Sequence, residues 1–265
     1  MGCFGYNIDM LTTPVNFDEV DLIAFDLDDT LAKSKMPIDS EMSELLCSLL
    51  TQKRVAVVSG ASFDQFKKQF LSNLGCPISQ LTNLFLISTN GACLYEFRND
   101  WVKLSEENFS PEAKAEVMTC LTEAVNSLGF DSSVLYGQQI EDRGSQVTFS
   151  GLGSEAPIEE KKGWDSDRAK RTKLVELLQK KLQNFSIKIG GMTSVDITPL
   201  GIDKASGLQK LAKLLSLDLS KLIYVGDALF PGGNDESVMN LGISTIQVAG
   251  PEETKKIISD LINKK

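Results

Sequence analysis

The segment Asp26-Leu27-Asp28-Asp29-Thr30 directly follows the apolar run Leu22-Ile23-Ala24-Phe25, and together they constrain this chain most. The apolar run is typical of a buried strand, and strand side chains two residues apart point the same way. Asp26 and Asp28 therefore share one side of a strand's carboxyl end, where open α/β sheets bind ligands. Two carboxylates this close favour a cation or a transferring group between them, which predicts a Mg²⁺-dependent aspartate nucleophile. A polar turn with an Asp helix cap would suit the same residues.

The composition excludes several kinds of chemistry. No histidine occurs among the 265 residues, so Ser-His-Asp and Cys-His catalysis are excluded. A general acid or base near neutral pH must be a carboxylate, Lys, Cys or Tyr. Any metal would have hard oxygen ligands, which favours Mg²⁺. The net charge of −9 argues against nucleic acid as a partner, and the apolar stretches are too short to span a membrane.

The cysteines favour a reducing, cytoplasmic location. There are five of them, an odd number without CxxC spacing, at positions Cys3, Cys47, Cys76, Cys93 and Cys120. We therefore expect neither structural zinc nor a disulfide framework. The N-terminus lacks the basic and apolar regions of a secretory signal, and residues 1–18 are expected to be an irregular lead-in.

Two regions of the chain differ in their periodicity. Strand and helix patterns alternate from residue 20 to 90 and again after Pro199, which predicts a doubly wound, mostly parallel α/β sheet. The middle region instead predicts a hairpin, two amphipathic helices and four further strands. These lie at residues 92–104, 110–128, 167–183, 134–137, 145–150, 187–189 and 194–197. We therefore expect a core of residues 1–92 and 198–265, and an inserted α+β domain of residues 93–197.

Polar side chains suited to one reaction stand at other predicted strand and helix ends. Ser59 ends the second strand, Lys204 opens a helix, and Asp227 ends a late strand with Asn234-Asp235 seven residues on. In a doubly wound sheet such ends converge on one crevice. Each alone has a plainer interpretation: Ser59 as an N-cap, Lys204 as a solvated residue, Asp227 as part of a turn. Their joint occurrence with the aspartates of the first strand favours catalysis.

The charges of these groups suggest roles in phosphoryl transfer. Asp26 would be the nucleophile and form an aspartyl phosphate. Asp28 would protonate the leaving oxygen and then deprotonate the attacking water. Mg²⁺ between Asp26 and Asp227 would neutralise both acids and the phosphoryl group. Lys204 would offset the same charge, and Ser59 would hydrogen-bond a phosphate oxygen beside a helix N-terminus.

With these motifs the chain resembles the haloacid dehalogenase (HAD) superfamily over nearly its whole length. The four motifs of that superfamily are matched, in order, by Asp26-Leu27-Asp28-Asp29-Thr30-Leu31, Ser59, Lys204, and Gly226-Asp227 with Asn234-Asp235. The resemblance implies a Rossmann-like core with an inserted type C2 cap, entered at Asn90-Gly91. It also implies that Asp28 binds the metal through its backbone carbonyl and that Asp235 is a further ligand or supports one.

A narrower resemblance is to subfamily IIB, and within it to the eukaryotic-type phosphomannomutase and sugar-phosphatase branch. Residues 226–235 are similar to the fourth motif of that branch, residues 59–63 to its second, and residues 190–196 to its cap strand. The substrate would be a small phosphorylated metabolite, and a homodimer through the cap is left open. The resemblance and the motifs together imply a set of substrate-binding residues: Ser59, Gly60, Asn90, Arg143, Lys161, Ser194 and Asp196.

The predicted cap departs from that branch at its phosphate clamp. The mutases grip the distal phosphate of a hexose bisphosphate with cap arginines, of which Arg143 matches one, while Ser154 and Lys161 stand at the spacing of two others. Ser cannot form a bidentate clamp, and Lys does so only in part. A mutase must hold a bisphosphate while it turns, whereas a phosphatase needs one phosphate site and water. The departure favours hydrolysis of a sugar phosphate, with a phosphomannomutase-like phosphohexomutase as the alternative.

Two further classes of protein remain as alternatives. A receiver-type signalling module also phosphorylates an Asp on an α/β sheet, but the length and the insertion argue against it. A catalytically inactive binding protein would not need the intact set of acids.

Overall fold

The computed structural model describes residues 17–130 and 135–263. Cys3 and nearly all of the predicted lead-in, residues 1–18, lie outside these ranges. The strands are β1 (Leu22–Asp26), β2 (Arg54–Val58), β3 (Leu84–Ser88), β4 (Cys93–Phe97), β5 (Trp101–Glu106), β6 (Ile140–Asp142), β7 (Val147–Ser150), β8 (Phe185–Gly190), β9 (Ser194–Pro199), β10 (Leu222–Gly226) and β11 (Ser244–Gln247). The α-helices are α1 (Ser40–Leu50), α2 (Phe63–Gln69), α3 (Ile78–Leu81), α4 (Pro111–Ser127), α5 (Ile158–Trp164), α6 (Ala169–Lys181), α7 (Lys204–Leu214), α8 (Glu236–Met239) and α9 (Pro251–Asn263).

The larger sheet has seven strands in the order β11-β10-β1-β2-β3-β4-β5, of which the first five are parallel. Strand β1, the middle one of the five parallel strands, is buried on both faces, which explains its uninterrupted apolar sequence. Ile23 and Phe25 pack on one face with α1 and α9, while Leu22 and Ala24 pack on the other with α7. We call this sheet and its helices the core.

The smaller sheet has the order β6-β7-β9-β8 and is antiparallel. Helices α4 and α6 cover one of its faces, and Val195 and Ile197 of β9 point into the apolar interior between them. The alternate residues of β9 therefore face the other way, towards the core. We call this sheet, with α4, α5 and α6, the cap. The α/β core with a separate antiparallel unit confirms the fold class predicted from the sequence.

Two elements differ from the sequence-based expectation. The hairpin of β4 and β5 was expected in the inserted domain, but β4 pairs with β3 and extends the core sheet. The tight turn at residues 89–91 brings β4 back beside β3, with Cys93 opposite Ser88. In the described part of the segment 134–137 no strand forms, and β6 lies at 140–142 instead. The division into two independent domains stays a prediction.

One disulfide contradicts the expectation drawn from the cysteines. Cys47 on α1 is bonded to Cys76, while Cys93 and Cys120 are free thiols. The segment before α3 packs against α1, where the Gly75 amide donates to Ser43 Oγ at 2.8 Å. The sequence analysis missed the pair because the two positions are 29 apart in the chain and the sequence does not show which segments pack together. No helix in residues 17–130 or 135–263 is long and apolar enough to cross a bilayer.

Candidate active site

The carboxyl ends of the parallel strands meet at one edge of the core sheet. β1 ends at Asp26, Ser59 follows β2, and Asp227 follows β10. A cavity of about 290 Å³ lies between this edge and the cap, and all three side chains line it. The sequence-predicted residues Asp28, Gly60, Asn90, Arg143, Ser194, Asp196 and Lys204 line it as well.

A buried lysine lies between two buried carboxylates at the floor of the cavity. Lys204, at the first position of α7, donates to Asp26 Oδ1 at 2.8 Å and to Asp235 Oδ1 at 2.7 Å. Burial lowers the pKa of Lys204, but Asp235 and Asp26 outweigh it, so the pKa lies above its usual value. Burial raises the pKa of Asp26 well above its ordinary value, and Lys204 offsets part of that rise.

Asp235 is fixed by several donors in the described part of the chain. Besides Lys204, Tyr224 donates its hydroxyl to Oδ1 at 2.6 Å, and the Ala228 amide donates to Oδ2 at 3.2 Å. Tyr224 is fully buried on β10. Its role was missed at the sequence level because it lies within an apolar strand pattern. Asp235 therefore holds Lys204 and the loop after β10 in place.

Three carboxylates form a group that fits a divalent cation. Oxygen atoms of Asp26, Asp227 and Asp235 lie within 4.8 Å of one another. Oδ2 of Asp26 is buried and has no hydrogen-bond partner among the described residues, so it is free to meet a cation or a phosphorus atom. Burial, and then Asp235, raises the pKa of Asp227 to about 6. An oxygen-only set of this kind suits Mg²⁺.

Asp28 lines the cavity but does not belong to this group of carboxylates. Its Oδ1 accepts from the Lys35 amide at 2.6 Å, and the neighbouring Asp29 accepts from the Ser34 amide at 3.0 Å. These bonds fold the loop after β1 into a compact turn, in which Asp29 has a φ of 57°. The turn orients Asp28 towards the cavity, and Lys35 lines the same cavity.

The loop after β2 offers a hydroxyl and backbone groups. Ser59 Oγ accepts from the Ala61 amide at 3.0 Å, and the Ser59 carbonyl accepts from the Asn90 amide at 3.0 Å. The turn after β3 is left-handed at three consecutive residues, with φ values of 49°, 52° and 99° at Thr89, Asn90 and Gly91. The two loops therefore brace each other at the edge of the cavity.

The cap presents a polar row to the cavity. Thr148, Asp196 and Lys188 lie opposite one another on β7, β9 and β8, and all three line the cavity. Thr148 Oγ1 donates to Asp196 Oδ1 at 2.8 Å, and Asn90 Nδ2 donates to Asp196 Oδ2 at 3.3 Å. Burial raises the pKa of Asp196, and Arg143 offsets part of that effect. Ser194 lies two residues before Asp196 on the same face.

Cationic side chains line the cavity at positions that the sequence analysis did not single out. Arg168, Lys188 and Lys35 join Arg143 there. Arg168 is the residue just before α6 and has a φ of 62°. No motif marks these residues, although the alternation of β8 places Lys188 on the face of Asp196.

Arg143 lines the cavity as the sequence predicts, whereas Lys161 lies outside it. Arg143 Nη1 donates to the Gly60 carbonyl at 3.0 Å and Nη2 to Glu141 at 2.7 Å, so it also joins cap to core. Lys161 and Ser154 are not among the residues lining the large cavity. Lys161 is 5% exposed and lines a small neighbouring cavity with Lys35. Burial, and then Lys35, lowers the pKa of Lys161 to about 8.

With this site in view, comparison with known proteins identifies the family. Residues 23–256 match the haloacid dehalogenase-like hydrolase family, and the chain belongs to it. Among curated relatives, phosphomannomutase 2 of Dictyostelium discoideum is 31% identical over 252 residues, which cover 91% of this chain and 96% of the relative. The phosphomannomutase of Saccharomyces cerevisiae is 27% identical, over 91% of this chain and 94% of the relative. Such homologues support an enzyme with phosphotransferase or hydrolase activity.

Solved structures show the same fold. The IMP-bound IMP-nucleotidase of Plasmodium falciparum superposes with a TM-score of 0.71 at 18% identity, covering 92% of this chain and 68% of that one. An N-terminally truncated form of that nucleotidase gives a TM-score of 0.72 at 19% identity, with coverage of 94% and 72%.

Proposed function

We propose that this chain is a phosphohexomutase of the phosphomannomutase type. The relatives with that name match nearly the whole chain and support this alternative better than the plain phosphatase that the cap sequence favoured. The sequence argument for hydrolysis depended on a depleted phosphate clamp at Ser154 and Lys161. Arg168 and Lys188 line the same cavity as Arg143, so cationic side chains are not lacking on the cap side.

The observation that carries the proposal is that cationic side chains of both the core and the cap line one cavity. The core contributes the nucleophile candidate Asp26 with Lys204, and the cap contributes Arg143, Arg168 and Lys188. A hexose bisphosphate has two dianionic groups separated by a sugar ring, so it needs two such regions. Arginine favours phosphate through paired N–H donors.

The residues of the core suit the two halves of a transfer reaction. Asp26 Oδ2 would form a bond to phosphorus while the bond from phosphorus to the leaving oxygen breaks, and Asp28 would give that oxygen a proton. In the second half Asp28 would take the proton from the other sugar hydroxyl, which attacks the phosphoryl group and frees Asp26. Lys204 and the hydroxyl of Ser59 would hold the negative charge of the transferring group.

Asp26, Asp227 and Asp235, with the backbone carbonyl of Asp28, would hold Mg²⁺. The ion would supply positive charge beside the transferring phosphoryl group.

Isomerisation and hydrolysis can be measured in one experiment. The protein is incubated with mannose 1-phosphate, a catalytic amount of hexose 1,6-bisphosphate and Mg²⁺, and products are followed by ³¹P NMR. We expect mannose 6-phosphate to exceed inorganic phosphate, and chelation of the metal to stop both. Inorganic phosphate without the isomer would refute mutase function.

Hydrolysis of a sugar phosphate is the second candidate, because Ser154 and Lys161 lie away from the large cavity. A cytoplasmic location and a homodimer through the cap stay predictions, and the Cys47–Cys76 disulfide removes one argument for the former.

A further inference from the structure

Gln146 contacts three residues that line the cavity, although it does not line the cavity itself. It lies in the turn between β6 and β7 and is fully buried. Its Oε1 accepts from Asn90 Nδ2 at 2.9 Å, and its Nε2 donates to the Gly60 carbonyl at 3.3 Å and to Thr148 Oγ1 at 2.8 Å. Both halves of the amide are thus engaged.

These contacts join the cap to the core. Gly60 and Asn90 belong to the core loops after β2 and β3, while Gln146 and Thr148 belong to the cap. Thr148 in turn donates to Asp196, which also accepts from Asn90. One amide therefore fixes the distance between the phosphate-binding loop and the polar row of the cap.

The space around Gly60 shows how close this approach is. A Cβ atom at position 60 would lie 3.2 Å from Asn90 Nδ2 and 3.3 Å from Asp196 Oδ2. An amide can exchange its partners for water when cap and core separate, so the contact can open and reform. When it is closed, the amide holds Gly60 and Asn90, which line the cavity beside Ser59, against the cap.

We propose that Gln146 is a positioning residue that holds the cap closed against the loop of residues 59–61 and so favours transfer of the phosphoryl group to sugar over transfer to water. The inference depends on the proposed mutase function. An acyl phosphate at Asp26 can react with either acceptor, and exclusion of water by a closed cap decides between them. Without the amide the cap opens more often, and water reaches the phosphoryl group.

The test compares Gln146→Leu and Gln146→Glu with Gln139→Leu. Leu keeps the volume but no hydrogen bond, while Glu keeps the shape and cannot donate to the Gly60 carbonyl. Gln139 is the matched control, because its Nε2 donates at 2.7 Å and 3.2 Å to the carbonyls of Phe130 and Gly151, both within the cap. In the ³¹P NMR assay we expect the ratio of mannose 6-phosphate to inorganic phosphate to fall roughly tenfold in both Gln146 variants. The Gln139 variant should keep the wild-type ratio.

Hydrogen exchange measures the contact without catalysis. The amides of Ala61, Thr89 and Asn90 donate within the two core loops. In the free protein they should exchange several-fold faster in Gln146→Leu and at the wild-type rate in Gln139→Leu. Equal exchange in all three proteins, or an unchanged product ratio in active Gln146 variants, would overturn the inference. If the wild type forms neither product, the mutase proposal and the partitioning role that depends on it both fail, while exchange still decides whether Gln146 holds the cap.

Discussion

Lys204 Nζ binds Asp26 through Oδ1 alone, at 2.8 Å, and leaves Oδ2 of that carboxylate without a partner in the described part of the chain. One oxygen is therefore fixed by a cation, and the other is buried without a hydrogen-bond partner in a residue that lines the cavity. This division is what a nucleophile requires, because the lysine sets the orientation of the carboxylate and the reacting oxygen stays free.

Replacement of the nucleophile tests this arrangement. Asp26→Asn should lower turnover of p-nitrophenyl phosphate by at least about 10³-fold, because an amide cannot form the acyl phosphate. Asp21→Asn is a suitable control, since Asp21 is exposed just before β1. Retained Mg²⁺-dependent turnover in Asp26→Asn would contradict the mechanism.

The contribution of the buried Lys204 ion pairs can be tested by measuring the free energy of unfolding. Lys204→Met leaves two buried carboxylates without their shared cation and should lower the free energy of unfolding by about 3–5 kcal/mol. The double variant Lys204→Met/Asp235→Asn removes one of those charges and should be more stable than the single variant. Urea denaturation measures both. A single variant as stable as the wild type would show that the charges are solvated.

A second prediction about stability concerns Gly91, in the turn between β3 and β4. A Cβ atom at position 91 would lie 2.0 Å from the carbonyl oxygen of Asp203, at a φ of 99°. Gly129 has a φ of 65° with nothing within 4 Å of its Cβ position. Gly129→Ala should therefore cost about 1–2 kcal/mol from its backbone alone, and Gly91→Ala clearly more. Thermal unfolding measures the loss of stability in each variant. Equal losses in Gly91→Ala and Gly129→Ala would mean that the structure around the Asp203 carbonyl relaxes at no cost.

Lys161 gives a prediction about pH. In the folded protein burial, and then Lys35, lowers the pKa of Lys161 to about 8, whereas in the unfolded chain its pKa keeps the ordinary value of 10.5. Below pH 8 Lys161 is protonated in both the folded and the unfolded protein, and the full cost of burying its charge lowers the free energy of unfolding. Between pH 8 and 10 the unfolded state binds more protons, so this group's contribution to stability rises with pH. Lys161→Met should thus be stabilised relative to the wild type at pH 7, and the gain should shrink by pH 10.

Urea denaturation at several pH values measures that gain. Lys162→Met, next along α5, is the control, because Lys162 is exposed and its stability difference should stay within about 0.5 kcal/mol. A gain for Lys161→Met that does not change with pH would mean that Lys161 stays protonated throughout.

The disulfide can be tested by counting the free thiols of the protein. Of the five cysteines, three should react with a thiol reagent in the unfolded, unreduced protein, because Cys47 and Cys76 are bonded to each other. Removing the pair as Cys47→Ser/Cys76→Ser should cost about 3–4 kcal/mol, since the bond closes a loop of 29 residues. Cys120→Ser, at a partly exposed free thiol, should have little effect. Five reactive thiols would contradict the bond.

The sequence predicted those parts of the molecule that depend on local periodicity. The apolar run before Asp26 is a central strand, and the two acids follow it at the edge where ligands bind. The hairpin of β4 and β5 was recognised too, but its pattern does not say which sheet it joins. That choice depends on the turn at Thr89, whose left-handed backbone brings Cys93 opposite Ser88.

The missed parts of the site depend on contacts between distant segments. Tyr224 contacts Asp235, which lies 11 positions further along the chain, only because the loop after β10 folds back onto that strand. Gln146 meets Asn90 across 56 residues and has an ordinary polar neighbourhood in the sequence. Contacts between positions this far apart in the sequence produce no periodic pattern of residues. Neither contact could therefore be inferred from residue types.

The last strand of the cap, β9, ends at Pro199, and Lys204 begins α7 after four linking residues. A foreign cap could be grafted here only if it returned the chain to Asp203 in the same register. A slip of one residue would turn Lys204 by about 100° around the helix axis and away from Asp26. Recombination that replaces the cap is therefore restricted at this junction. A new cap must preserve the position of Lys204, and with it the ion pair that balances the charge of Asp26.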